Sequence, residues 1–138
     1  MPSILVVDDE PMIRALVAKI VERAGFQADV ARDGADAIEM LRKRHYSVVV
    51  VDLMMPIMDG YAVVDWIKAN VRQKPAIIVV SAADSAALRR FDGSMVHSII
   101  RKPFDVDVLS DLITTAAKAV ADSEEQHDGQ VLRFPGAC

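Results

Sequence analysis

The sequence predicts an α/β fold, a doubly wound five-stranded parallel sheet flanked by five helices in a single domain. Three observations carry this. Five short apolar segments recur along the chain, stretches with helical spacing separate them, and several of the apolar segments end in a charged or hydroxyl residue. Strands buried on both faces read as continuous β-branched runs, and strand–helix alternation implies parallel strands joined by right-handed crossovers.

The first apolar segment is Ile4–Val7. The helix after it begins with Pro11 in the first turn, carries Met12, Leu16, Ile20 and Val21 as its apolar face, and stops at Ala24-Gly25. Ala28–Ala31 is the second segment, followed by a helix with Ala35, Ile38 and Leu41 that closes on Arg42-Lys43-Arg44, a basic end suited to the helix dipole. Val48–Val51 is the third, and the helix after Gly60 carries Ala62, Val63, Trp66 and Ile67. Ala76–Val80 is the fourth, with a weaker fourth helix over Ser85–Phe91. Ser98–Ile100 is the fifth, and after Pro103 the fifth helix carries Val106, Leu109, Leu112, Ile113 and Ala116. The arrangement is flavodoxin-like. Residues 3–121 form the expected domain, and 122–138 read as an acidic polar tail or linker.

The 138 residues are 52% hydrophobic, enough to fill one core without disulfides, and the lone Cys138 excludes an internal disulfide and any cysteine-based metal cluster. That cysteine usage fits a reducing compartment. The net charge is −4, and most of it lies beyond Ala121, so no basic surface for nucleic acid is expected. The longest apolar runs, Ser47–Val51 and Ala76–Val80, fall far short of the roughly 20 residues of a membrane helix. Met1–Ile4 enters the first strand without a leader, so the expected location is cytoplasmic with no membrane contact.

In an open parallel sheet, ligands collect beyond the carboxyl ends of the strands. There the sequence places Asp8-Asp9-Glu10 after the first strand, Asp52 after the third, Ser81 after the fourth and Lys102-Pro103 after the fifth. Clustered carboxylates favour a hard divalent cation with oxygen ligands, Mg2+ above all, while a lysine and a hydroxyl beside them suit a phosphoryl group. Taken alone, the acidic triplet reads as a helix cap, Asp59-Gly60 as a turn and helix start, and His45, His97 and His127 as loop, strand-edge and tail residues.

Asp8-Asp9, the run Val48–Asp52 followed by Leu53-Met54-Met55-Pro56-Ile57-Met58-Asp59-Gly60, and Lys102-Pro103-Phe104 together resemble the receiver domain of bacterial two-component response regulators, over about residues 3–121. The resemblance implies that Asp52 accepts a phosphoryl group from a phosphohistidine. It implies that Asp9, Asp52 and the Met54 backbone carbonyl ligate Mg2+, with Asp8 acting mainly through water. Lys102 and Ser81 would contact the phosphoryl oxygens, Pro56, Gly60 and Pro103 would shape the turns, and Lys102–Pro103 would be cis. Expected partners are a sensor histidine kinase or phosphotransfer protein, and a downstream protein reading the fourth helix, fifth strand and fifth helix.

The sequence departs from the family at three places. Ile99 stands where many receivers have an inward-turning aromatic, so a switch pairing Ser81 with Ile99 lacks the ring. The Leu88–His97 stretch has no Ala-Gly-Ala run, and Met54 and Ala83 flank the phosphoryl position without a group to orient water. The alternatives are a Mg2+-dependent aspartyl-phosphate phosphatase of the haloacid-dehalogenase type, which carries a second acid where this chain has Met54, and a receiver-fold scaffold that is not phosphorylated. The expected chain is a switch, not an enzyme beyond its own phosphoryl transfer and slow self-dephosphorylation.

Overall fold

A computed structural model describes residues 2–56, 58–82 and 96–137. Five parallel strands, β1 (Ser3–Val7), β2 (Gln27–Ala31), β3 (Val48–Asp52), β4 (Ala76–Ser81) and β5 (Ser98–Arg101), form one sheet in the order β2-β1-β3-β4-β5. The helices among the described residues are α1 (Pro11–Arg23), α2 (Gly34–Lys43), α3 (Gly60–Asn70) and α4 (Val106–Ala137). The helix expected over Ser85–Phe91, and Ala83 and Ile57, lie outside the described residues.

The period of two along each central strand divides the core into two halves. Leu5, Val7, Val49, Val51, Ile77 and Val79 pack on the side of α2 and α3, while Ile4, Val6, Val48, Val50, Ile78 and Val80 pack on the side of α1 and α4. Burial on both faces is why β1, β3 and β4 read as unbroken apolar runs. The same alternation orients the strand ends, because by count Asp8 follows Val6, Asp52 follows Val50 and Lys102 follows Ile100. All three fall on the α1 and α4 side.

Asp33 and Asp59 start α2 and α3, their side chains accepting the Asp36 and Ala62 amide N–H at 2.8 and 3.0 Å. Pro11 stands in the first turn of α1, and Gly25, at φ 97°, turns the chain out of it. One expectation differs from the structure. Met12 and Leu16 do not face the core: they are 85% and 41% exposed, and the packed stripe is Ile13, Val17, Ile20 and Val21. Rotating the apolar face by one residue leaves the first turns of α1 overhanging the strand ends. The final helix continues to Ala137, through the segment whose polar composition suggests a tail or linker. Its last buried residues among those described are Ala116 and Ala117. No described helix is long and apolar enough to cross a membrane.

Candidate functional site

The strand order reverses direction between β1 and β3, and the crevice such a reversal opens lies beyond their carboxyl ends. Asp8 and Asp52 stand there, 3% and 4% exposed. One oxygen from each of Asp8, Asp9 and Asp52 lies within 4.8 Å of the others. Lys102, leaving β5, reaches across the sheet edge and sets its Nζ 3.2 Å from Asp8 Oδ2 and 3.3 Å from Asp52 Oδ2. The Lys102–Pro103 bond is cis.

The backbone fixes the carboxylates. Asp8 Oδ1 accepts the Glu10 N–H at 2.9 Å, and Asp52 Oδ1 accepts the Met54 N–H at 3.2 Å. Gly60 lets the loop after β3 fold back on its own strand: its N–H reaches the Leu53 carbonyl at 3.1 Å, and a Cβ there would stand 2.5 Å from the Asp52 carbonyl oxygen and 2.8 Å from Leu53 Cα. Ser81 is 1% exposed at the end of β4, and its carbonyl accepts the Lys102 N–H at 3.0 Å. Met54 is 64% exposed beside the buried Met55, Pro56 is exposed in the same loop, and Ile99 is 43% exposed on the edge strand β5.

Burial pushes the Asp52 carboxyl above the usual range, the Met54 N–H and Lys102 draw it down, and Asp8 pushes it up again, leaving it raised. Burial lowers the Lys102 ammonium, but Asp52 and then Asp8 outweigh that and hold it above the usual lysine range. The arrangement is therefore a buried carboxylate with a cation on one oxygen and two further acids beside it. A small, hard dication suits the three oxygens, since it neutralises charge that Lys102 alone leaves in excess.

Two features escape the sequence pattern. Arg14 donates to the Asp8 carbonyl at 3.0 Å and ties α1 to the acidic loop. Its only sequence signal is an arginine one turn into the helix after an acidic triplet. Ile13, Leu16, Lys102, Pro103 and Phe104 line a cavity of about 360 Å3, an apolar collar next to the carboxylates. It becomes visible only when the phase of α1 is known.

The family model described as the response regulator receiver domain matches residues 4–114. Sensor histidine kinase RcsC of Escherichia coli K12 is 36% identical over 122 residues, 88% of this chain and 13% of the relative. The chain spans 12–13% of the length of the RcsC relatives it matches. A sensor protein from Polaromonas sp. JS666 is similar at TM-score 0.78 and 30% identity, over 86% of this chain and 98% of that one. Response regulator TrrA of Thermotoga maritima, in complex with Mg2+–BeF, is similar at TM-score 0.75 and 28% identity, over 84% and 99%.

Proposed function

The chain belongs to the response regulator receiver domain family of two-component signalling, and from that premise we propose that it is a phosphorylation switch written on Asp52. The observation that carries the proposal is the buried Asp52 carboxylate at the end of β3 with Lys102 Nζ 3.3 Å from Oδ2 and Asp8 and Asp9 beside it. An Asp52 oxygen attacks the phosphorus of a donor phosphohistidine. The new O–P bond forms as the P–N bond breaks, and the imidazole leaves with a proton from solvent. The Met54 N–H fixes the plane of the attacking carboxylate, and Lys102 offsets charge on the transferring group. Asp8, Asp9 and Asp52 would hold Mg2+, with the Met54 carbonyl as a further ligand; when bound, the ion supplies positive charge to the phosphoryl oxygens. Ser81 would then engage a phosphoryl oxygen, with Ile99 adjusting behind it.

The donor is a sensor histidine kinase or phosphotransfer protein. Met12, Leu16 and the collar around Pro103 and Phe104 offer it an apolar landing surface beside the acids. The downstream partner is a protein reading the β5 and α4 side, where Ile99, Val106 and Val108 are exposed. The domain works in the cytoplasm, as a switch rather than a turnover enzyme.

Acetyl phosphate with Mg2+ tests this. Intact mass should show one phosphoryl group on the wild type and none on Asp52→Asn. Continuous phosphate release points to a phosphatase, and no adduct on the wild type points to an unphosphorylated scaffold.

A further inference from the structure

Opposite the carboxylates, at the amino ends of β3 and β4, the C-terminal ends of α2 and α3 and the loops that follow them border an open groove of about 900 Å3. A strand of five residues, about 16 Å, separates it from Asp52. Arg42, Lys43, Arg44 and Arg72 line it, no carboxylate among the described residues does, and Leu41 and Trp66 give it apolar walls. That is an unusual concentration of cations on a chain of net charge −4.

Helix ends account for part of it, since each carries about half a negative charge that a basic side chain offsets. Neighbouring acids account for more. Arg44 is held by Asp29 at 2.8 Å, and Arg42 and Lys43 share the exposed Glu39 at 3.7 and 4.0 Å. Arg72 has no carboxylate partner among the described residues, and a positive balance remains. The Arg42 guanidinium also lies 5.8 Å from the centroid of Trp66, the chain's single tryptophan. A flat ring beside a guanidinium offers a stacking platform, and arginine forks bind phosphate through paired hydrogen bonds. The volume lies within the range of small-molecule sites.

We propose that this groove binds a nucleoside polyphosphate, its base against Trp66 and Arg42 and its phosphates on Arg72 and Lys43. The site is independent of phosphotransfer to Asp52. A small ligand is favoured over a macromolecule because the basic side chains line one groove of small-molecule size beside a single flat ring.

Trp66 fluorescence reports on the site directly. Titrating the full chain with ATP should give a saturable change in the submillimolar to millimolar range, while adenosine or inorganic triphosphate alone should bind at least about tenfold more weakly. Arg72→Glu, an exposed loop change, should weaken ATP at least about tenfold and leave the circular dichroism spectrum unchanged. Arg42→Ala should weaken it as well, and Asp52→Asn should not. Absence of saturation, equal binding of triphosphate and ATP, or unaltered affinity in Arg72→Glu overturns the proposal. So does a single-stranded oligonucleotide or an acidic peptide that saturates the signal where ATP does not.

Discussion

Lys102 is one ammonium set against two carboxylates that have almost no solvent of their own. Removing it leaves like charges buried at close range, so Lys102→Ala should destabilise the metal-free protein by about 3 kcal/mol at neutral pH, the low end for a broken buried pair because Asp52 can take up a proton. Urea melts in EDTA measure this, and Mg2+ should restore part of the loss; an unchanged midpoint contradicts the shared-cation geometry. The raised Asp52 carboxyl has its own signature. The native state holds that proton more tightly than the unfolded chain does. The group's contribution is therefore present below the ordinary carboxyl pKa of about 4 and is lost as pH rises through the raised folded value. In EDTA, wild-type stability relative to Asp52→Asn should fall across that interval, and a flat difference between the two counts against it. The acids, hydroxyl and lysine were legible in the sequence because strand ends announce themselves where an apolar run stops. Arg14 was not, because its role depends on a backbone carbonyl six residues away.

Among the elements, the loop from β3 into α3 is tightly folded on its own strand. A methyl group at Gly60 meets backbone at 2.5 and 2.8 Å, and backbone cannot rotate aside as a side chain can. Gly60→Ala should therefore cost up to about 3 kcal/mol by thermal or urea denaturation. Asp59→Ala, which removes only the cap to Ala62, should cost about 1 kcal/mol. Equal costs would mean that the loop relaxes freely. Strands β1, β3 and β4 are legible as β-branched runs, whereas β5 is an edge of four residues with a partly exposed pattern and a fainter signal. The phase of α1 is not legible in the sequence because Met12 and Ile13 are both apolar and only packing decides which faces inward. The extension of α4 was illegible for another reason: Gly129 and Pro135 are breakers by local rule, yet the helix runs past both.

At the scale of the whole molecule, the strand order places β3 at the centre, bonded to β1 on one side and β4 on the other, with all five of its residues buried. The edges β2 and β5 each have a single neighbour. Amide protons of Val49–Asp52 should thus exchange with deuterium only through global unfolding, while those of β5 exchange through smaller openings at lower free energy. Native-state exchange in increasing denaturant checks this: if β3 merges with β5 well below the global limit, the centre of the sheet is not the last part to open. The consequence concerns memory. On the proposed switch, a phosphoryl group on Asp52 would be attached to the segment expected to fluctuate least, so the brief local openings that renew the edges would leave the mark covered. Its persistence would then be set by chemistry at the carboxylate, and the breathing of the protein around it would not erase what was written.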